Sequence, residues 1–483
     1  MYLGVDLGTS SVKVSVVDAS GKILCAHSEE YPLYAPKQGF SEQNPQDWLD
    51  MTIKSIVALG KEVDLNNVRA MSFSGQMHGL VILDESDNVI RPAILWNDQR
   101  TEKQTSYLND VIGIEKLVEY TANRAVTGFT APKVLWVKEN EPQNFAAIRK
   151  MMLPKDYLAY KFSGTFATDV SDASGTLYFD VKNRTWSKEM LDILGVSEKV
   201  LPKVYESSEV IGTVTEEMSA KTGLSTSVKV VIGGGDQAVG AVGTGTVNSG
   251  VSISLGTSGV IFVSCDSFRE EKQGLLHNFC HADGQYHYMG VTLSAAASYG
   301  WITGILGVSN VGELEKEIAV APIDDVVFTP YLTGERSPIN APTVKGSFYG
   351  LTSLTGRVNL AKAVMEGVAF SLRDCLEVIK SVGISVDKAR VIGGGSKSRA
   401  WMQILADVLG IKVCKINTAD GGALGAGILA MVGDGAYKDV PSACRDIVAD
   451  VESFIPDENR AKIYDEKFSV YKKLQNFSLG FTK

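Results

Sequence analysis

Two carboxylates carry the most chemical information in this sequence, because each sits where a charge is costly. Asp6 lies between Val5 and Leu7 in a β-rich opening segment, residues 2–7. A charge in a strand is expensive unless it faces a ligand or a cation. The turn that follows, Gly8-Thr9-Ser10-Ser11, offers backbone N–H groups and hydroxyls with little bulk, which suits phosphate oxygens. An acid at the mouth of such a turn would hold Mg2+ through water, since this ion keeps much of its shell. Asp236 ends the run Val230-Val231-Ile232-Gly233-Gly234-Gly235-Asp236, a strand leading through three glycines to a carboxylate. The glycines permit close approach of a ligand to the backbone. Two readings of Asp236 stand: the cap of a helix over residues 237–243, or the group that orients a substrate hydroxyl and takes its proton late in phosphoryl transfer.

The same strand-to-glycine device recurs at Val391-Ile392-Gly393-Gly394-Gly395-Ser396. It is either a bare floor for a flat adenine or ribose, or a tight turn before a helix capped by Ser396. His78, within Gln76-Met77-His78-Gly79, is one of five histidines and reads as a polar ligand contact rather than a base. His277, His281 and His287 lie close in sequence, but no carboxylate or Cys stands at metal-ligand spacing around them, which argues against zinc. The chain has no GxxxxGKS or GxxxxGKT loop, no HRD or DFG, and no GxSxG. Those absences remove the P-loop, protein-kinase and serine-hydrolase readings.

The elements around these residues alternate strand and helix, which argues an α/β class. Val12–Val17 reads as a strand after the first turn, and residues 18–22 (DASGK) turn into another at Ile23–Ala26. Asn44-Pro45-Gln46-Asp47 is a helix start, with Asn as cap, Pro first and an acid in the first turn; the helix should stop at Gly60. Val68–Ser72 is the next strand. Leu7-Gly8-Thr9-Ser10-Ser11-Val12 recurs as Leu255-Gly256-Thr257-Ser258-Gly259-Val260, identical at five of six positions and 248 residues on. Either this is a common Gly/Ser turn met twice, or two like domains each offer a hairpin to one ligand. A Gly- and Thr-rich stretch at 243–245 places the division near residues 245–252. Glu458–Asn476 reads as a helix folding back on the body.

Composition narrows the partners. The 483 residues carry a formal charge of −9 and no basic block, so no surface is built to release counterions from nucleic acid. The apolar stretch Met289–Leu306 is broken by Thr292, Ser294, Ser298, Gly300 and Thr303, unlike a membrane span. The start reaches an acid at residue six, unlike a secretion signal. Six scattered cysteines without a CxxC pair read as reduced thiols of a cytoplasmic protein.

Several separated motifs then point the same way. GVDLGTSSVK at 4–13, SLGTSG at 254–259, residues 128–140 (GFTAPKVLWVKEN), Gly346–Leu351 with Asn359-Leu360 and Ala363–Glu366, and GGGS at 393–396 resemble segments of the FGGY carbohydrate kinases. The resemblance implies two actin-like, ribonuclease-H-like α/β domains, each a mixed sheet flanked by helices, closing on an active-site cleft. Residues 1–247 would bind mainly sugar and residues 248–483 mainly ATP. It further implies Asp236 as catalytic base and Asp6 as an acid important for activity, the two holding Mg2+ through water. Met77, His78 and Asp236 would line the sugar site; Thr9, Gly256, Thr257, Gly394 and Gly395 would touch the nucleotide. Gln76–Gly79, Arg91–Asp98, Leu153–Leu158 and Ser171–Gly175 are similar to segments of family members acting on D-xylulose, whereas glycerol-specific members carry Arg-Glu where this chain has Met77-His78. The implied partners are D-xylulose and ATP, with a homodimer as a family-level expectation. A kinase for another ketose or polyol, such as ribulose or gluconate, and a non-enzymatic actin-like sensor of sugar or ATP are the alternatives. Tyr331–Pro338 also resembles a family segment, but no role attaches to it.

Overall fold

The structure, a computed structural model, describes residues 1–418 and 420–481. The chain opens with β1 (Tyr2–Leu7) and β2 (Ser11–Val17), antiparallel across the Gly8–Ser10 turn, followed by β3 (Ile23–Glu30). Side chains alternate across a strand, so β1 serves two layers. Leu3, Val5 and Leu7 join Trp48 and Ile56 of α1 (Pro45–Leu59) in one core; Tyr2 joins a second core on the opposite face. Asp6 shares that second face. The α1 helix starts as its sequence predicts: the Asn44 side chain accepts the Gln46 N–H, Pro45 is first, and the chain leaves the helix at Gly60.

The next sheet strand, β4, spans Ala70–Gly75 rather than the expected Val68–Ser72. Pairing decides its bounds, because parallel β1 runs beside it from Tyr2↔Ala70 to Leu7↔Gly75. Further on, β5 (Val210–Thr213) pairs antiparallel with β6 (Lys229–Val231), β6 lies parallel to β4, and the short β7 (Gly234–Gly235) adds to the far end of β4. The sheet order is β5-β6-β4-β1-β2-β3.

The second sheet repeats this plan. It is built from β8 (Val251–Leu255), β9 (Gly259–Cys265), β10 (His277–Cys280), β11 (Tyr286–Thr292), β12 (Lys388–Ile392), β13 (Lys412–Ile416) and β14 (Asp450–Phe454), in the order β10-β11-β9-β8-β12-β13-β14. As in the first sheet, an antiparallel hairpin stands at the centre and two parallel strands follow on one side. The expected pair of mixed sheets flanked by helices is present.

Two small-residue helices join the halves. α2 (Asp236–Gly243) follows β7, and α3 (Gly421–Asp434) follows β13. Although α3 follows a strand of the second sheet, it lies on β1 and β4 of the first and against α2. The contact is backbone to backbone: a Cβ on Gly425 would fall 1.9 Å from the Val239 carbonyl, and one on Gly4 2.1 Å from that of Ala423. Only glycine fits there. The C-terminal helix, α4 (Glu458–Leu479), folds back as expected and buries Tyr464, Tyr471 and Leu474.

Candidate active site

The turn after β1 puts Asp6 and Lys13 directly opposite each other on the α3 face. The Ser74 hydroxyl donates to Asp6 Oδ1 at 2.7 Å, and the start of α3 runs so close that a Cβ on Gly422 would fall 2.4 Å from Oδ2. Lys13 reaches across to Asp420, whose side chain accepts the Ala423 N–H and caps α3. Burial pushes the Asp6 carboxyl above its usual range and Asp420 adds to the shift; the Ser74 hydroxyl and Lys13 oppose it.

Asp236 is the first residue of α2, not its cap. Gly235 occupies the cap position in extended conformation, because Gly234 and Gly235 are still paired with Ser74 and Gly75 of β4. The capping reading of Asp236 therefore fails. Burial, and then the charge of Asp6, push its carboxyl up to about 7; the Gln237 amide opposes them only in part. Two acids, one near the end of β1 and one at the start of α2, thus act on each other, an arrangement common at reacting centres.

Met77 and His78 follow β4 and form the wall beside Asp236. A Cβ on Gly235 would fall 2.9 Å from Met77 Sδ. His78 holds φ at 69°, a left-handed conformation uncommon outside glycine. It is fixed from both ends: its carbonyl accepts Lys133 Nζ at 2.7 Å and the Thr130 hydroxyl at 3.1 Å, and its Nδ1 lies 2.7 Å from the Gly175 carbonyl. A carbonyl can only accept, so Nδ1 carries the proton and Nε2 keeps a lone pair. Burial and the nearby Lys133 hold the imidazole neutral, well below its usual range. Phe129, Phe279 and His277 continue this wall into the second half, with His78 and Phe129 rings 4.7 Å apart and burial lowering His277 to about 3.

Of the residues expected at the nucleotide, Thr9 is held by its neighbours: Gln43 Nε2 donates to its carbonyl at 2.7 Å and Trp96 Nε1 to its hydroxyl at 2.9 Å. Gly256 and Thr257 form the tip between β8 and β9, and their carbonyls accept the Ala296 and Ala295 N–H groups at 2.8 and 2.9 Å. Gly394 lines a cavity of about 530 Å3 with Gly393, Lys397, Asn417 and Thr418, outside the carboxyl ends of β12 and β13. That position is where open α/β sheets take ligands. Gly395 is buried instead, where a Cβ would fall 2.7 Å from the Leu255 side chain. Ser396 bonds back to the Gly393 carbonyl, and the following helix is capped by Ser398. A larger cavity of about 690 Å3 lies elsewhere, lined by Lys362, Asp407 and Arg460, and touches none of these residues.

Among the described residues no three His, Cys, Asp or Glu groups close around a metal ion. Asp6, Asp236 and Asp420 nevertheless concentrate negative charge at one place without a chelating geometry. That fits Mg2+, which needs only one or two carboxylates and keeps its waters.

Residues 1–243 match the N-terminal domain, and residues 251–433 the C-terminal domain, of the FGGY family of carbohydrate kinases. The chain belongs to the FGGY family of carbohydrate kinases. As a kinase of this family it takes ATP as phosphoryl donor. It is 40% identical to the xylulose kinase of Escherichia coli (strain K12) over 479 residues, 98% of each chain. The crystal structure of a xyloylose kinase from Brucella ovis superposes with a TM-score of 0.93 at 36% identity over 98% of both chains. That of gluconate kinase from Lactobacillus acidophilus superposes with a TM-score of 0.94 at 26% identity, covering 100% of this chain and 98% of that one.

Several residues packed around Asp6 and Thr9 were not among the sequence candidates. Lys13 was legible in principle, since a four-residue turn puts it opposite Asp6. Asp420 carries the N-cap pattern of Asp before a helix. The Trp96 contact to Thr9 leaves no local signal, because it forms through space. No described helix is long and apolar enough to cross a membrane.

Proposed function

We propose that the protein transfers the γ-phosphoryl group of ATP to the terminal hydroxyl of D-xylulose, giving D-xylulose 5-phosphate and ADP. The observation that carries this reading is Asp236, a half-buried carboxyl at the start of α2 raised to about 7 beside the Met77-His78 wall. A sugar hydroxyl is too weak an acid to ionise first, so Asp236 orients it and receives its proton as the new O–P bond forms. The His78 Nε2 lone pair accepts a second sugar hydroxyl. Met77 gives the apolar side of the pocket.

The turn at Gly256-Thr257 and the Thr9 turn offer N–H and hydroxyl donors to the phosphates, and Gly394 forms the floor under adenosine, with Gly395 buried behind it. Asp6 and Asp236 would hold a hydrated Mg2+ through water; bound there, it neutralises charge on the polyphosphate. Closure of the two halves would exclude water and limit wasteful hydrolysis of ATP. The division is placed at 247/248, with sugar mainly on the first domain and nucleotide mainly on the second. A cytoplasmic homodimer completes the reading.

The likeness to a gluconate kinase, 26% identical with a TM-score of 0.94, favours gluconate as the second reading. ADP release with MgATP and D-xylulose, ribulose, gluconate or glycerol separates the two. Strong stimulation by D-xylulose alone is expected; stimulation by gluconate in its place overturns the substrate and leaves the base.

A further inference from the structure

The segments Leu153–Leu158 and Ser171–Gly175 meet behind Asp236 in a fully buried charged cluster. Lys155 Nζ lies 2.5 Å from Asp156, 2.9 Å from Asp169 and 3.7 Å from Asp172, and all four side chains are at most 1% exposed. Neither Asp172 oxygen has a hydrogen-bond partner among the described residues. Such clusters are costly to bury and give little net stability, so packing alone does not account for one.

Its connections lead to the reacting centre. Asp169 Oδ2 accepts the Ser171 hydroxyl at 2.5 Å and the Ser207 hydroxyl at 2.7 Å. Ser171 Oγ in turn accepts the Gly235 N–H at 3.1 Å, one residue before Asp236. A Cβ on Gly234 would fall 2.6 Å from Ser171 Oγ, so the hydroxyl lies directly against this backbone. Ser171 belongs to the short helix Val170–Ser174, and the next residue, Gly175, bears the carbonyl that fixes His78 Nδ1. The end of β4 also rests on the cluster, because a Cβ on Gly75 would fall 2.6 Å from Lys155 Cβ. One buried hub therefore touches the backbone that carries Asp236, the anchor of His78 and the strand leading to Met77.

We propose that Ser171, backed by Asp169 and Lys155, is a positioning residue for the phosphoryl transfer, setting where the Asp236 carboxyl stands relative to the sugar hydroxyl. The inference rests on the kinase reading above. Misplacement of a reacting group by about 1 Å costs up to about 100-fold in rate, so one lost anchor reads in kcat.

The test compares two serines that donate to the same Asp169 oxygen, Ser171→Ala and Ser207→Ala, in the full chain with MgATP and the sugar that best stimulates the parent protein. Ser171→Ala is expected to lose about 10-fold or more in kcat, with KM for ATP within about two-fold, and Ser171→Thr, which keeps the hydroxyl, to recover most of it. Ser207→Ala is expected to stay within about three-fold, because the bond to Gly235 survives. Equal losses in both variants, or an unchanged kcat in Ser171→Ala, overturn the proposal. Should Ser171→Ala not fold, Ser171→Cys is read against the same Ser207 variant by the same criterion. A parent protein that no sugar stimulates overturns the kinase reading and this inference together, before any variant is made.

Discussion

In the N-terminal turn Leu7 pairs with Val12 and Asp6 with Lys13; in the C-terminal turn Leu255 pairs with Gly259 and Ser254 with Val260. Five of six residues agree, yet the second register is one residue tighter. The differing residue is Ser11 against Gly259, and Gly259 pairs with Thr292 so closely that a Cβ would fall 2.5 Å from Thr292 Oγ1. A side chain there would push the strands apart. The turns also differ in what holds them. The first is braced by Gln43 and Trp96 and carries an acid and a lysine, whereas the second is uncharged and spends its carbonyls on the N–H groups of Ala295 and Ala296. On the proposed reading the first turn is the charged partner for chemistry and the second a neutral seat for phosphate.

The comparison breaks first at the carboxylates. Asp236→Asn is expected to lose about 100- to 10,000-fold in kcat while ADP still binds, checked by steady-state kinetics beside calorimetric titration. Substantial turnover in that variant would remove the base from the first half. Asp6→Asn should cost about 100-fold and raise the Mg2+ requirement, and adding Ser254→Asp should restore nothing, because only the first turn faces the start of α3. The pH profile sharpens the same contrast. A base raised to about 7 must be ionised to act, so kcat/KM should fall about ten-fold for each unit below that value. An acid limb near 4 would mean that burial does not govern Asp236. The smallest effect belongs to the neutral turn: Thr257→Val removes one hydrogen bond worth about 1 kcal/mol and should raise KM for ATP about five-fold, leaving KM for sugar unchanged.

Much of the frame was legible because its causes are local. The Asn44 cap, the turn at 18–22 and the alternation of Leu3, Val5 and Leu7 each follow from neighbours in sequence. The bounds of β4 were not, since pairing with β1 sets them. Nor was the crossing of α3 onto the first sheet, which depends on glycines at 4, 243 and 425 meeting backbone far away in the chain. At the site, Asp6 showed itself by being a charge in an apolar strand and Asp236 by ending a strand-to-triglycine run. Lys155 and Ser171 showed only as members of family-like segments and Asp169 not at all, because their joint arrangement exists only where the segments converge.

The proposed reaction moves a phosphoryl group onto the terminal hydroxyl of D-xylulose. The most direct measurement is 31P and 1H NMR of the product formed from MgATP and D-xylulose, alongside the amount of ADP released. A single phosphomonoester on C5 is expected, in equal amount to ADP. Phosphate on another carbon, or ADP with free phosphate and unchanged sugar, would contradict it.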